Sequence, residues 1–412
     1  MPLTFSIVEN FVSDYREIMK DRGLLRQERH RILAILRDQL QSSIKDYEEF
    51  ESELASLVIH RIEKAAAYEE LYECHARAIV GIENFFLEED TVTDVHDLFH
   101  IVRDAITTRV LKLVEEDMKR DGMGDPPVEY IWIGLGSEGR DEQTMLTDQD
   151  NMIIYGEVNG GDVTMETVDH YFVEFSNRAV ERLHDTGFEK CKGGVMPSSE
   201  KWRGSLKTWK KRLEDRITYE KGIFESLDVI ILTDARHIYG RKQLLDELLA
   251  YFFEFLRDNK YVMKDFVETA VLMPTALSFF NNFKVDKDGE YKDTFNIKLT
   301  GWAPLILSVR MLAINNGIFE VNTLKRIKLL REMNVIKKEM ENDLTDAYLT
   351  FVRFRIMNQI NNRTDGSSNP GAAANHINPE ALRPDEQEKI RKAMKSVEAL
   401  QKYIQEVLMF GQ

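Results

Sequence analysis

The sequence predicts an α+β protein, with a small mixed sheet set between an N-terminal and a C-terminal helical region. Three observations carry this reading. Residues 1 to about 120 repeat apolar side chains at helical spacing and are nearly free of Gly and Pro. Three short β-branched and aromatic runs follow, Val128–Leu135, Met152–Tyr155 and Leu227–Leu232. Beyond Gly240 the helical period returns.

In the first region Ile32, Ile35, Leu36, Leu40 and Ile44 recur on one helical face, with charges on the others. The breaker cluster Asp121-Gly122-Met123-Gly124-Asp125-Pro126-Pro127 ends it. The expected division is 1–122 (helical), 123–242 (mixed core) and 243–412 (helical). Inside the core, Val163 to Leu183 reads as helix, and another helix begins near Lys242. In the last region Leu344, Ala347, Tyr348 and Phe351 form one apolar stripe, and Ile390, Met394, Val397, Leu400 and Ile404 form another. Asn361 to Gly371 reads as a polar loop, and its Asn-X-Thr sequon has no meaning without secretion. No repeat of fixed period is present.

Composition excludes several classes. The 412 residues carry 55 Lys and Arg against 71 Asp and Glu, a net charge of −16, which disfavours nucleic acid and anionic membranes as partners. Two cysteines, Cys74 and Cys191, exclude a disulfide framework and fit a reducing compartment. The N-terminus carries early acids where a signal peptide has a basic and then an apolar stretch. The most apolar run, Trp302 to Ile314, is interrupted by Arg310 and is too short to span a bilayer. A cytoplasmic protein is expected.

The segment that points to chemistry is Ile131-Trp132-Ile133-Gly134-Leu135-Gly136-Ser137-Glu138-Gly139-Arg140, continuing to Asp148-Gln149-Asp150-Asn151. Gly134, Gly136 and Gly139 satisfy the dinucleotide fingerprint, but the next strand begins too soon for a crossover unit of roughly thirty residues. A second pattern fits better. Alternation along a strand sends Asp148 and Asp150 to one face, where two carboxylates repel unless a cation joins them. Mg²⁺ (or Mn²⁺) suits such oxygen ligands and accepts substrate phosphates in its remaining positions. Gly136 and Ser137 leave room for backbone N–H groups to approach a phosphate. The combination implies metal-assisted phosphoryl or nucleotidyl transfer; a solvated turn with capping acids is the alternative.

The run Gly136-Ser137-Glu138-Gly139-Arg140-Asp141-Glu142-Gln143 with Thr147-Asp148-Gln149-Asp150-Asn151 resembles the signature of a nucleotidyltransferase family in the DNA polymerase β superfamily. It is similar to the nucleotidyltransferase domains of PII uridylyltransferase and glutamine-synthetase adenylyltransferase. Members are often fused to CBS and cyclic-nucleotide-binding domains; none is read in this sequence. The likeness continues through Cys191 to Met196, Trp202 to Leu206, Trp209 and Asp234 to Gly240, and then Lys298, Gly301, Pro304, Arg310, Asn322, Thr323 and Arg326. Before Val128 it is looser, chiefly Asp104 to Thr107. At Pro197-Ser198-Ser199 the chain departs from the family, whose members usually carry an Asn there.

The resemblance implies a polymerase-β-like core that transfers an NMP from an NTP to an acceptor hydroxyl, in a signalling role with a regulatory protein as a plausible acceptor. It implies metal ligation by Asp148, Asp150 and a third carboxylate, placed at Asp234 with Asp228 in reserve. Gly136, Ser137 and Arg140 would hold phosphates, joined by some of Lys192, Lys201 and Arg203. A non-catalytic nucleotide-sensing or docking module on the same fold is the rival reading. Residues 201–216 hold seven basic side chains against two acids, which fits either a phosphate attractor or a solvated helix face. Trp202 and Trp209 read as core, and Cys191 as a buried small residue. His96 and His100 share a helix face without a third metal ligand, so an interface between helices is the simpler reading.

Overall fold

The structure is a computed structural model that describes residues 30–31, 34, 37–38, 59–158, 160, 163–219, 222–258, 264, 266–268, 272–278, 280–364 and 373–409. Two compact units divide at Arg109/Val110. The predicted stripe from Ile32 to Ile44 lies outside the described residues.

In the first unit, α1 (His60–Lys64) and α2 (Tyr68–Glu89) precede α3 (Val92–Arg120), whose last residues belong to the second unit. Leu71, Ile82 and Phe86 of α2, with Val95, Phe99, Val102 and Ile106 of α3, are buried. The buried Arg103 donates to His75 Nε2 at 3.2 Å and lies 4.0 Å from the centre of the Phe99 ring. His96 is buried, and His100 lies 3.5 Å from Asp104 one turn away.

The second unit is built on a four-stranded sheet of order β5-β3-β1-β6, from β1 (Tyr130–Gly134), β3 (Asn151–Tyr155), β5 (Arg203–Ser205) and β6 (Arg236–Gly240). β1 is antiparallel to β3, pairing Tyr130 with Tyr155 and Gly134 with Asn151, and antiparallel to β6. β5 runs parallel to β3. Every residue of β1 and β3 is buried, so both read as continuous apolar runs. Short α4 (Gly136–Gly139) follows β1, and β2 (Asp148–Gln149) leads into β3, pairing with β4 (Glu189–Lys190). Thr164 caps α5 (Met165–Asp185) by accepting from Thr167 N. That helix packs Phe172 and Phe175 against the sheet, with ring centres 4.6 Å from Tyr155 and 6.4 Å from Trp132. α6 (Leu206–Tyr219) is tied to β3 by Trp209, whose indole donates to Ile153 O at 3.0 Å.

One predicted strand is corrected. Leu227–Leu232 lies in α7 (Ser226–Ile231) and the 3-10 turn after it. A continuous apolar run fits a buried helix as well as a strand, and Glu225 with Asp228 closes a capping box that starts the helix. The strand falls instead on Arg236–Gly240, followed by α8 (Lys242–Asp258).

The rest of the second unit is mainly helical. A short pair, β7 (Phe295–Asn296) with β8 (His376–Ile377), flanks a π-helical turn, Lys298–Trp302. α9 (Ala303–Asn315) is buried nearly all round, with α10 (Thr323–Glu332) and α12 (Pro384–Ile404) against it and α11 (Lys338–Thr364) packed on both of those. Both predicted stripes, on α11 and α12, are buried. The polar run from Asn361 begins as the last turn of α11, and residues 365–371 lie outside the described residues. No described helix is long and apolar enough to cross a membrane.

Candidate functional site

Gln149 sets the orientation of the acids beside it. Its buried amide donates to Val180 O at 3.1 Å and Phe188 O at 3.0 Å, fixing it toward α5. Strand alternation turns Asp148 and Asp150 the other way; Asp148 is exposed and Asp150 half-buried. The backbone of the β1–α4 turn lies against Asp150. Leu135 N donates to Asp150 O at 2.7 Å, and a Cβ on Gly136, at φ +55°, would sit 2.5 Å from Asp150 Oδ2. Glycine is required at 136 because only a residue without Cβ allows this approach. Half-buried Ser137 follows in the same turn, while Asn151 donates to the buried Glu138 at 2.5 Å and locks turn and strand together. Burial, with some contribution from Asp148, pushes the Asp150 carboxyl up to about 6 against a hydrogen bond from Cys191. Cys191, expected to be buried, is half-buried, and burial followed by the neighbouring Asp150 pushes its thiol up to about 11.

Within electrostatic range of these acids are two cations of the C-terminal helical region, Lys298 and Arg355. Lys298 opens the π-helical turn, half-buried, in electrostatic contact with Arg355, Asp148, Asp150 and Cys191. Arg355 of α11 is 7 % exposed and lies 4.6 Å from the centre of the Trp302 ring. Turn and helix are pressed together at Gly301, where a Cβ would meet Phe351 at 2.7 Å. One turn beyond Arg355, Gln359 donates to Thr144 Oγ1 at 3.0 Å and accepts from Leu146 N at 3.3 Å. That pair of bonds holds the loop leading to Asp148 against α11. Burial lowers the Lys298 ammonium below its usual value, with Arg355 the next cause.

Asp234 and Arg140 are placed differently from the roles expected of them. Asp234 is fully buried and accepts from Arg140 at 2.6 Å, from Arg326 at 3.2 Å and from Arg310. Burial alone would raise this carboxyl; Arg310, Arg140 and Arg326 outweigh it and hold the group below the usual carboxylate range. Arg140 also binds buried Glu142 at 2.8 Å, and Glu142 in turn accepts from Thr323 N at 2.7 Å. Asn322 donates to Arg140 O at 3.0 Å, and Arg326 to Thr233 O at 2.9 Å. This network joins the sheet to α9 and α10. Asp234 also precedes β6, which neighbours β1 and not β3; the strands flanking β3 are β1 and β5, and neither carries an acid.

The remaining expected residues make contacts of their own. Asp228, read as a strand residue, caps α7 through a 2.6 Å bond from Glu225 N and pairs with Lys201 at 2.5 Å. Arg203 donates to Pro197 O at 2.5 Å and Ser198 O at 3.2 Å. Lys192 is exposed in the turn after β4. Within the basic segment, Arg212 donates to Arg203 O at 2.8 Å, Arg216 to Ser226 at 2.6 Å, and Lys211 pairs with Asp215 at 3.0 Å. Trp202 and Trp209 are core, with ring centres 6.3 Å apart and Phe224 against both.

Asp148 and Asp150 suit a hard divalent cation that keeps waters and substrate phosphates as its other ligands. Among the described residues no group of three or more His, Cys, Asp and Glu could hold a metal, so the pair has no third carboxylate beside it. Lys298 and Arg355 were absent from the expected site. Arg355 had a readable signal, since it lies seven residues after Tyr348 on the buried stripe of α11, where a charge is rare without a partner.

Residues 79–222 match the family model described as "Putative nucleotidyltransferase DUF294", and residues 260–408 match that of the "Putative nucleotidyltransferase substrate binding domain". No curated protein matches the chain.

Proposed function

Because the chain belongs to this family of putative nucleotidyltransferases, we propose that it moves an NMP from an NTP to an acceptor hydroxyl at the site around Asp148 and Asp150. The observation that carries this is a glycine turn whose missing Cβ admits the Asp150 carboxylate, with the exposed Asp148 two residues before it. Asp148 and Asp150 would hold Mg²⁺ or Mn²⁺, and the metal when bound supplies Lewis-acid stabilisation of the reacting phosphate. Gly136 and Ser137 offer backbone room to the phosphate tail. The acceptor oxygen bonds to the α-phosphorus as the bond to the bridging oxygen breaks; pyrophosphate departs and one proton is released. Asp234 and Arg140 serve this reading as positioning residues that hold the C-terminal helices against the sheet. A regulatory protein as acceptor, and a cytoplasmic signalling role, fit an acidic chain with two free cysteines.

The test is incubation with each of the four α-labelled NTPs and Mg²⁺ or Mn²⁺, alone and with a cell extract as acceptor source. Pyrophosphate release with label transfer, lost in Asp148→Asn, is the predicted result. A second reading has one observation in its favour: no acid on the strands flanking β3. Nucleotide sensing without turnover follows from it, and metal-dependent NTP binding with no pyrophosphate from any acceptor would select it.

A further inference from the structure

Buried charges are paired or bind a ligand, because an isolated guanidinium in a dry interior is strongly unfavourable. Arg355 departs from this rule. Its Nε donates to Asn375 Oδ1 at 3.3 Å, and it forms no ion pair among the described residues. The acid that would serve, Glu142, is occupied by Arg140 and by Thr323 N. Arg140 itself lies 5.2 Å from the centre of the same Trp302 ring and adds to the positive charge. Lys298 repeats the pattern, as a half-buried ammonium with no ion pair among the described residues. Both feel Asp148 electrostatically, yet neither comes within ion-pairing distance of it. Two cations thus lie within electrostatic range of the Asp148–Asp150 pair without pairing to it. A metal on the carboxylates would leave the cations to a second, anionic ligand.

We propose that Lys298 and Arg355 form the subsite for the β- and γ-phosphates of the nucleotide, supplied by the C-terminal helices to the Asp148–Asp150 site. This rests on the nucleotidyl-transfer reading and adds to it the phosphate ligands that Arg140, locked on Asp234, does not provide. Arg355 presents a planar fork suited to two phosphate oxygens, and Lys298 a point charge beside it. The subsite reads charge and not the base, so it takes any NTP. Trp302 lies against Arg355 and Arg140 and keeps both guanidiniums in place.

The test uses the full chain and two probes, inorganic tripolyphosphate without metal and each NTP with Mg²⁺, read by calorimetry. Wild type binds both. Lys298→Met and Arg355→Met each lose at least tenfold in affinity for both, and Arg355→Lys recovers part of the loss. Removing an unpaired buried charge leaves the ligand-free thermal midpoint of Arg355→Met unchanged or higher, an outcome a purely structural arginine would reverse. Asp148→Asn with Asp150→Asn retains tripolyphosphate binding, so loss of transfer and loss of this subsite are separable. Unchanged tripolyphosphate affinity in both Met variants overturns the proposal, as does a wild type that binds no polyphosphate. A lowered ligand-free midpoint in Arg355→Met overturns the assignment of that residue.

Discussion

Replacing Asp234 by Asn strips the negative charge from a carboxylate that three buried guanidiniums share. Arg140, Arg310 and Arg326 are each at most 4 % exposed, so none can reach water when that charge is lost. Removing one partner of a buried ion pair typically costs about 3–5 kcal/mol. The amide keeps an acceptor oxygen, but its NH₂ turns a donor toward guanidiniums that are themselves donors only. Glu142 remains, bonded to Arg140 alone among the three. The expected loss is therefore at least about 3 kcal/mol, a fall in thermal midpoint of roughly 5 °C or more for a unit of this size. Thermal and urea unfolding of wild type and Asp234→Asn measure it. A variant with unchanged stability that had lost metal-dependent NTP binding would refute the reasoning and return Asp234 to the metal site.

Other substitutions test neighbouring parts of the account. The Asp150 carboxyl rises from 3.8 to about 6 on folding, so the native state binds the proton more tightly and stability falls as pH rises between those values. Asp150→Asn should remove that slope and stabilise the protein at pH 7 by up to about 3 kcal/mol, read from urea unfolding at pH 4 and pH 7. Metal affinity in wild type should weaken as pH falls through about 6, because the ligand must be ionised. Gly139→Ala places a methyl 2.0 Å from the Asp234 carbonyl, and overpacking of this kind costs about 1–3 kcal/mol or more; a wild-type thermal midpoint would contradict it. Arg212→Ala leaves the Arg203 carbonyl without its guanidinium donor and should cost about 1–3 kcal/mol, whereas Lys211→Gln on the exposed face of α6 should change stability by less than about 0.5 kcal/mol. Equal effects of the two in a denaturation series would contradict the structural reading of the basic segment.

Local signals made the sheet's first half legible. β1 and β3 are short, apolar and β-branched, and the glycine turn and Asp-X-Asp pair lie within a single stretch of sequence. The third strand is not legible there because Leu227 to Leu232 has no alternation to distinguish strand from helix, and the helix is started by the Glu225–Asp228 capping box. Roles set by long-range contact were less visible. Asp234 meets Arg140, Arg310 and Arg326 across 94, 76 and 92 residues of chain, and nothing local distinguishes its neutralised carboxylate from a metal ligand. Arg140 is ambiguous for the same reason: beside a glycine turn it resembles a phosphate ligand, and of its two buried partners, Glu142 and Asp234, the second lies far beyond the motif. Family likeness marks Lys298 without giving it a role, and Arg355 is concealed within an apolar stripe.

Asp148 and Asp150 acting together as the metal carboxylates of an NTP site is the claim on which the rest depends. Calorimetric titration of Mg·NTP into wild type and into Asp148→Asn with Asp150→Asn tests it directly, with folding of the double variant checked by thermal unfolding. The account predicts Mg²⁺-dependent binding to wild type, no Mg²⁺ dependence in the double variant, and a thermal midpoint no lower than wild type, since a half-buried acid and its like-charged neighbour have been neutralised. Equal Mg·NTP affinity in a folded double variant would contradict it.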